Sequence, residues 1–351
     1  MKPISCAEAF AYAEKSLHEQ GEENPVAAAR FLVGGILGLS PSESVLHSED
    51  LFDEEQAARL DDALRRRALD EPLQYIIGTA AFRYLELSVR PGVLIPRPET
   101  ELLVDLVKDY LSKWQSCFVP RLTRDPKPLR TGSATQLAAV QLKQTPLTNL
   151  SGEASRSKSP SVTKYDCQGS VCRILDVGTG SGAIALALLS ECEDIEVFAT
   201  DISEVALEIA CENARRLGMS EETGFRLRHD DLAASLVCGE TNHHSFDVVV
   251  SNPPYIPSAE LQKLPKEIAK YEPAIALDGG ADGLDAFRRI AEQAAELLKP
   301  GGLLACELHE TTLDSATQLL EQQAVWQDVR CHEDLAGCPR FITAFRKDVS
   351  I

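Results

Sequence analysis

Arg173-Ile174-Leu175-Asp176-Val177-Gly178-Thr179-Gly180-Ser181-Gly182-Ala183 is the stretch whose reading decides the fold. An apolar run that enters a glycine-rich turn and leaves it as a row of helix formers reads as a buried strand handing over to a helix. Glycines let a backbone approach a ligand closely, and the first turn of the helix offers N–H groups without intrahelical partners. Gly178, Thr179, Gly180, Ser181 and Gly182 are therefore expected to bind a cofactor. Read loosely, Gly178, Gly180 and Ala183 also fit a dinucleotide fingerprint, although the third glycine falls one residue early, so the loop by itself leaves two cofactor classes open, nicotinamide dinucleotides and S-adenosylmethionine.

Strand and helix patterns alternate from this stretch to the end of the chain. Strands are expected at 171–177, 195–200, 224–229, 246–251 and 302–307, with helices from Ser181, at 203–217, 283–298 and 311–323. Such βα alternation predicts an α/β fold with a doubly wound, mostly parallel sheet of seven strands. The last two strands, near 327–332 and 340–346, are joined by Asp334-Leu335-Ala336-Gly337, too short for a helix, and should pair antiparallel. Asp201 closes the second strand and is placed to accept hydrogen bonds from ribose hydroxyls, the alternative being a helix N-terminal residue. Asp231, with Leu232 beside it, follows the third strand and is a candidate for the adenine neighbourhood, the alternative being a solvated surface carboxylate.

The second informative stretch is Phe246-Asp247-Val248-Val249-Val250-Ser251-Asn252-Pro253-Pro254-Tyr255. A β-branched run that ends in two prolines is a buried strand forced out of the sheet, because proline has no ladder donor. The prolines keep the exit stiff and extended, so Asn252 and Tyr255 project from a fixed scaffold at the strand end, where open α/β sheets bind ligands. A plain strand-to-loop exit would need only the Asn-Pro step, not the aromatic two residues beyond it.

Residues 4–70 carry apolar positions such as Phe10, Ala13 and Leu17, then Ala28, Phe31, Leu32 and Ile36, at three-to-four spacing, and Asp53-Glu54-Glu55 opens a further helix. This predicts an N-terminal helical domain over 1–75, either docking a partner or capping the larger domain. Aromatic and β-branched alternation around Pro91-Gly92 predicts a β-hairpin linker at 76–97, and the rest, 98–351, forms the main domain, its first helix opened by Pro98-Glu99-Thr100-Glu101. Residues 113–169 break the periodicity with Ser, Thr, Pro, Lys, Arg and Gln, and are expected to be a disordered insertion.

A net charge of −19 argues against a protein whose main task is to grip nucleic acid, since phosphate binding needs a basic surface. Only the stretch 112–170 is basic, with nine Lys/Arg against three Asp/Glu. Ten cysteines lie scattered without a Cys-x-x-Cys pair, so reduced thiols and no metal site are expected. The hydrophobic fraction of 44% belongs to a water-soluble globular protein, no run is long enough to span a membrane, and the N-terminus lacks a signal core; the expected location is the cytoplasm.

Taken together, the glycine loop, Asp201 and Asn252-Pro253-Pro254-Tyr255 resemble the class I S-adenosylmethionine-dependent methyltransferases, a Rossmann-like family, and among them those that methylate a planar amide or amine nitrogen. Glu71-Pro72-Leu73-Gln74-Tyr75-Ile76-Ile77-Gly78, Leu94-Ile95-Pro96-Arg97-Pro98-Glu99-Thr100-Glu101, Tyr271-Glu272-Pro273 and Leu277-Asp278-Gly279-Gly280-Ala281-Asp282-Gly283-Leu284 are similar to the protein-(glutamine-N5) methyltransferases that modify peptide chain release factors. The resemblance spans nearly the whole chain outside 113–169. It implies S-adenosylmethionine as cofactor and a release factor as partner; a monomer is expected. The implied catalytic residues are Asn252, Pro253 and Tyr255, with Pro254 beside them against the substrate; the Asn252 side-chain oxygen and the Pro253 carbonyl would each accept one N–H of the target amide. Asn252 is also expected to touch the cofactor. The chain departs from the family in its insertion and at Glu307-Leu308-His309, where His309 stands in place of the glycine that usually follows the acid and an aliphatic residue. An adenine-N6 methyltransferase of DNA or RNA shares the Asn-Pro-Pro-Tyr chemistry but needs a basic groove that this chain does not show; a silent cofactor-binding scaffold would not need Asn252 and Tyr255.

Overall fold

A computed structural model describes residues 4–39, 43, 47, 49–116, 171–239 and 242–348. Ile4–Ser5 (β1) and Leu51–Phe52 (β2) pair beside helices Cys6–Glu19, Pro25–Leu37 and Glu54–Arg67. The caps explain where these helices start. Ser5 with Glu8 and Asp53 with Gln56 form capping boxes, and Asn24 accepts the Ala27 N–H ahead of Pro25. Ala9, Ala13, Leu17, Leu32, Ile36, Leu60 and Leu64 meet in the centre of this helical unit.

A short helix, Leu73–Ile77, leads into a hairpin of Thr79–Phe82 (β3) and Leu85–Ser88 (β4). The hairpin turns at Arg83-Tyr84, not at Pro91-Gly92 as the sequence suggested. Arg83 holds the turn: it takes a left-handed φ of +53°, its guanidinium reaches Asp105 at 2.8 Å, and it pairs with Glu191. Gly92 serves another purpose, since a Cβ there would lie 2.6 Å from Val205. The helix Glu101–Ser116 continues to the edge of the described residues, so the first positions of the expected insertion, 113–116, are helical. The remainder of the stretch expected to be disordered lies outside the described residues.

The sheet runs through Cys172–Val177 (β5), Ile195–Asp201 (β6), Phe225–His229 (β7), Phe246–Ser251 (β8), Leu298–Glu307 (β9), Trp326–Glu333 (β10) and Pro339–Arg346 (β11), in the order β10-β11-β9-β8-β5-β6-β7. Five strands are parallel; β11 joins β9 antiparallel and β10 joins β11 antiparallel, the order expected of so short a connection. Every residue of β8 is buried because both faces are covered. Ile174, Val248 and Val250 face Leu103, Val107, Ile184 and Leu188, while Leu175, Val177 and Val249 face Phe287, Ile290, Leu297 and Leu313. Strand order reverses between β5 and β8, which opens a crevice at their C-terminal ends. Among the described residues no helix is long and apolar enough to cross a membrane.

Candidate active site

The loop after β5 is built by three left-handed glycines, Gly178, Gly180 and Gly182, with φ of +71°, +58° and +85°. The N–H groups of Gly178 and Thr179 both bond the Thr200 carbonyl on β6, and the Gly180 N–H donates to Asp201 Oδ2 at 2.9 Å. Asp201 Oδ1 accepts the Ser203 N–H at 2.8 Å. Burial raises the Asp201 pKa, and these N–H groups draw it back. Beneath the loop, Asp176 is fully buried and accepts the Thr179 hydroxyl at 2.7 Å; desolvation pushes its carboxyl up to about 7.

A cavity of about 370 Å³ lies over this loop, within the range of small-molecule sites. Gly178, Thr179, Gly180, Ser181, Asp201, Asp231, Leu232, Asn252 and Pro254 line it together. Asp231 reaches it while paired with Arg289 at 2.7 Å. Gly182 does not line it. A Cβ there would sit 3.0 Å from Leu186 and 3.4 Å from Ala210, so this glycine permits close packing of helices and does not face a ligand. A Cβ on Gly178 or Gly180 would meet no protein atom within 4 Å; these two face open cavity. The bare backbone on one side, the strand-end carboxylate of Asp201, and apolar walls from Ile184, Ile202 and Ala206 fit an adenosyl cofactor.

A smaller cavity of about 140 Å³ adjoins it, walled by Leu94, Ile256, Leu264, Ile268 and Leu277 and bordered by Tyr255. Asn252, Leu94, Arg97 and Ala276 line both spaces, so Asn252 stands where the two meet. Pro253 is buried and lines neither. The Asn-Pro-Pro-Tyr exit is clamped from outside: Ile256 N–H bonds the Leu277 carbonyl at 2.9 Å, and Gly279 N–H bonds the Ile256 carbonyl at 2.8 Å. A Cβ on Gly279 would lie 2.8 Å from the Pro254 oxygen, and one on Gly283 would collide with the Tyr255 oxygen. Only glycine allows the two backbones to approach so closely.

Four residues of the site escaped the sequence reading as functional groups, although all lie in motifs it singled out. Asn252 Nδ2 donates to Thr100 Oγ1 at 2.9 Å, Thr100 Oγ1 donates to Glu307 Oε2 at 2.7 Å, and the Tyr255 hydroxyl donates to Glu307 Oε1 at 3.1 Å. Glu307 is 1% exposed; burial raises its pKa, opposed by the hydrogen bonds from Thr100 and Tyr255 and the charge of Arg340. Burial and Glu307 together lift the Tyr255 phenol well above its ordinary range, so it stays neutral. Arg97 pairs with Glu272 at 2.5 Å, joining the segment after the hairpin to the far wall of the smaller cavity. Arg97 and Glu272 stand in stretches that carry the family resemblance, Thr100 in a helix-opening turn and Glu307 at a departure from the family pattern; no spacing within any one of these stretches pairs them.

A doubly wound sheet with a glycine loop and an acidic strand end under one cavity, opening at an Asn-Pro-Pro-Tyr strand exit, defines an S-adenosylmethionine-dependent methyltransferase of class I. Residues 8–78 match the PrmC N-terminal domain model, and residues 168–339 match a methyltransferase domain model. The chain is 36% identical over 285 residues to a release factor glutamine methyltransferase of Gloeobacter violaceus, covering 81% of this chain and 78% of that one. It is 33% identical over 345 residues to the enzyme of the same name from Moorella thermoacetica, covering 98% of this chain and all of the relative. The chain belongs to the release factor glutamine methyltransferase family.

Proposed function

We propose that this enzyme methylates the side-chain amide nitrogen of the glutamine in the Gly-Gly-Gln loop of peptide chain release factors. The observation that carries the reading is the position of Asn252 at the junction of the larger, cofactor-shaped cavity and the smaller, apolar-walled one. Bound S-adenosylmethionine supplies an electrophilic methyl group. An amide nitrogen is a weak nucleophile because its lone pair is delocalised, so it must be aligned and the charge that develops on its NH₂ must be stabilised. In this reading the Asn252 carbonyl accepts one N–H, which orients the amide plane and leaves electron density on nitrogen, while Pro253, which lines neither cavity, stiffens the strand exit that carries Asn252. The Tyr255 ring, its hydroxyl tethered to Glu307, lies along that plane. Leu94, Ile256, Leu264, Ile268 and Leu277 enclose the aliphatic stem. Gly178, Thr179, Gly180, Ser181, Asp201, Asp231 and Leu232 hold the cofactor. No strong base is needed before attack, since the product nitrogen loses its proton to water.

The N-terminal helical unit docks the release factor. It is tied to the pocket wall, because Arg67 pairs with Glu267 at 2.6 Å and the Leu69 carbonyl accepts from Lys270 and Tyr271, all three on the helix Lys266–Tyr271 that carries Ile268. The enzyme acts as a monomer in the cytoplasm, where release factors are. The test incubates the purified protein and S-adenosylmethionine with a whole release factor, a short peptide of its Gly-Gly-Gln loop, and duplex DNA, and maps any methyl group by mass spectrometry. The expected result is methylation of that glutamine, faster on the whole factor than on the peptide, with Asn252→Ala lowering kcat by more than about tenfold while cofactor binding stays mostly intact. Methylation of DNA with none on the release factor would overturn the reading.

A further inference from the structure

An asparagine side chain is nearly symmetric in shape, so packing alone does not choose whether its oxygen or its nitrogen faces a ligand. For Asn252 the choice decides the chemistry. An oxygen facing the substrate accepts from an amide NH₂, whereas an NH₂ facing it meets donor with donor. The hydrogen bonds behind Asn252 contain the answer. A carboxylate only accepts, so Thr100, with a single hydroxyl hydrogen, gives it to Glu307 and has only lone pairs left for Asn252. Nδ2 is therefore drawn towards Thr100, and Oδ1 is what remains for the cavities. The Tyr255 hydroxyl occupies the other oxygen of the same carboxylate, so the direction of donation is set from both ends of the network.

We infer that Glu307 is a positioning residue that acts through Thr100 to hold the Asn252 amide with its oxygen towards the transferred nitrogen. The inference rests on the reading of Asn252 as acceptor for a glutamine amide. Its position is costly for a merely structural residue: Glu307 is 1% exposed and makes no ion pair within 4.0 Å among the described residues. A neutral glutamine of the same shape would be easier to bury, but it could not direct the hydrogen bonds. Its NH₂ can donate to Thr100, Thr100 can then donate to Asn252 Oδ1, and the Asn252 NH₂ turns outward. Such a site repels a glutamine amide and suits a glutamate carboxylate.

The experiment compares the wild-type enzyme with Glu307→Gln, Thr100→Val and Thr100→Ser. It measures kcat and KM on a whole release factor, cofactor affinity by calorimetry, and inhibition by a release factor whose Gly-Gly-Gln glutamine is replaced by glutamate. Glu307→Gln is expected to lower kcat by about tenfold or more, leave cofactor affinity within about twofold, and shift the binding preference towards the glutamate factor by about tenfold. Thr100→Ser should stay within about threefold of wild type and Thr100→Val should fall as far as Glu307→Gln. Should Glu307→Gln fail to fold, the Ser and Val pair decides alone, since both keep the carboxylate and differ in the hydroxyl. Wild-type kcat in Glu307→Gln with an unmoved preference, or equal activity of the Ser and Val variants, would overturn the inference. Failure of the wild type to methylate the release factor would instead reject the reading beneath it.

Discussion

Replacing Arg97 with Met tests how the two walls of the smaller cavity are held together. Met keeps much of the apolar stem of Arg97 but removes the only cation within 4.0 Å of Glu272 among the described residues, at 2.5 Å. The Glu272 side chain is 1% exposed and would keep a single long hydrogen bond, from the Ile95 N–H at 3.4 Å. Leaving one member of a buried ion pair uncompensated costs about 3–5 kcal/mol; Arg97 itself is 30% exposed, so the lower end, about 3 kcal/mol, is expected. The sign of the pH dependence follows from burial. Desolvation already raises the Glu272 pKa in the folded protein, with Arg97 lowering it, so loss of Arg97 raises it further. A carboxyl whose folded pKa lies above its unfolded value favours the fold when protonated, and that contribution is lost as pH rises through the folded pKa. The penalty of Arg97→Met should therefore be largest near pH 8 and shrink as pH falls towards the ordinary carboxylate range. Urea unfolding at several pH values measures it, and the double variant Arg97→Met/Glu272→Gln should recover most of the loss. A penalty under about 1 kcal/mol near pH 8, one that grows on acidification, or no recovery in the double variant would refute the argument.

Asp201→Ala should weaken S-adenosylmethionine binding by roughly tenfold to a hundredfold, the value of one charge-assisted hydrogen bond at about 1.5–3 kcal/mol, and calorimetry reads it directly. Because Asp201 also accepts the Gly180 and Ser203 N–H groups, Asp201→Asn, which keeps one acceptor oxygen, should lose less than Ala. Gly283→Ala forces a left-handed φ of +77° on alanine and drives its Cβ into the Tyr255 carbonyl. A loss of more than about 1 kcal/mol in stability is expected, with kcat falling because the Asn-Pro-Pro-Tyr exit is displaced; paired unfolding and turnover measurements check both.

Much of this enzyme is written in short-range pattern. The βα alternation, the glycine loop, the proline-stiffened end of β8 and the antiparallel last pair all depend on spacing within a few residues, and steric and hydrogen-bonding rules act at that range. For the same reason the resemblance to a methyltransferase family could be read from contiguous motifs, and Asp201 and Asn252 could be placed at strand ends before any sheet order was known. Local pattern was ambiguous where a residue has two uses. Gly182 continues the glycine series yet packs against Leu186 and Ala210, and Pro91-Gly92 has the chemistry of a hairpin turn yet approaches Val205, while Arg83 makes the turn because its charge is anchored to a distant helix. The residues that orient the reacting groups were beyond such reading. Thr100 and Glu307 are 207 positions apart, and Arg97 and Glu272 are 175 apart. Thr100 and Glu307 meet because β9 lies beside β8, so that Asn252 and Glu307 come at the ends of neighbouring strands and both bond Thr100. Strand order is decided by which faces bury the most apolar surface across the whole sheet, a property of the folded chain that no local spacing records.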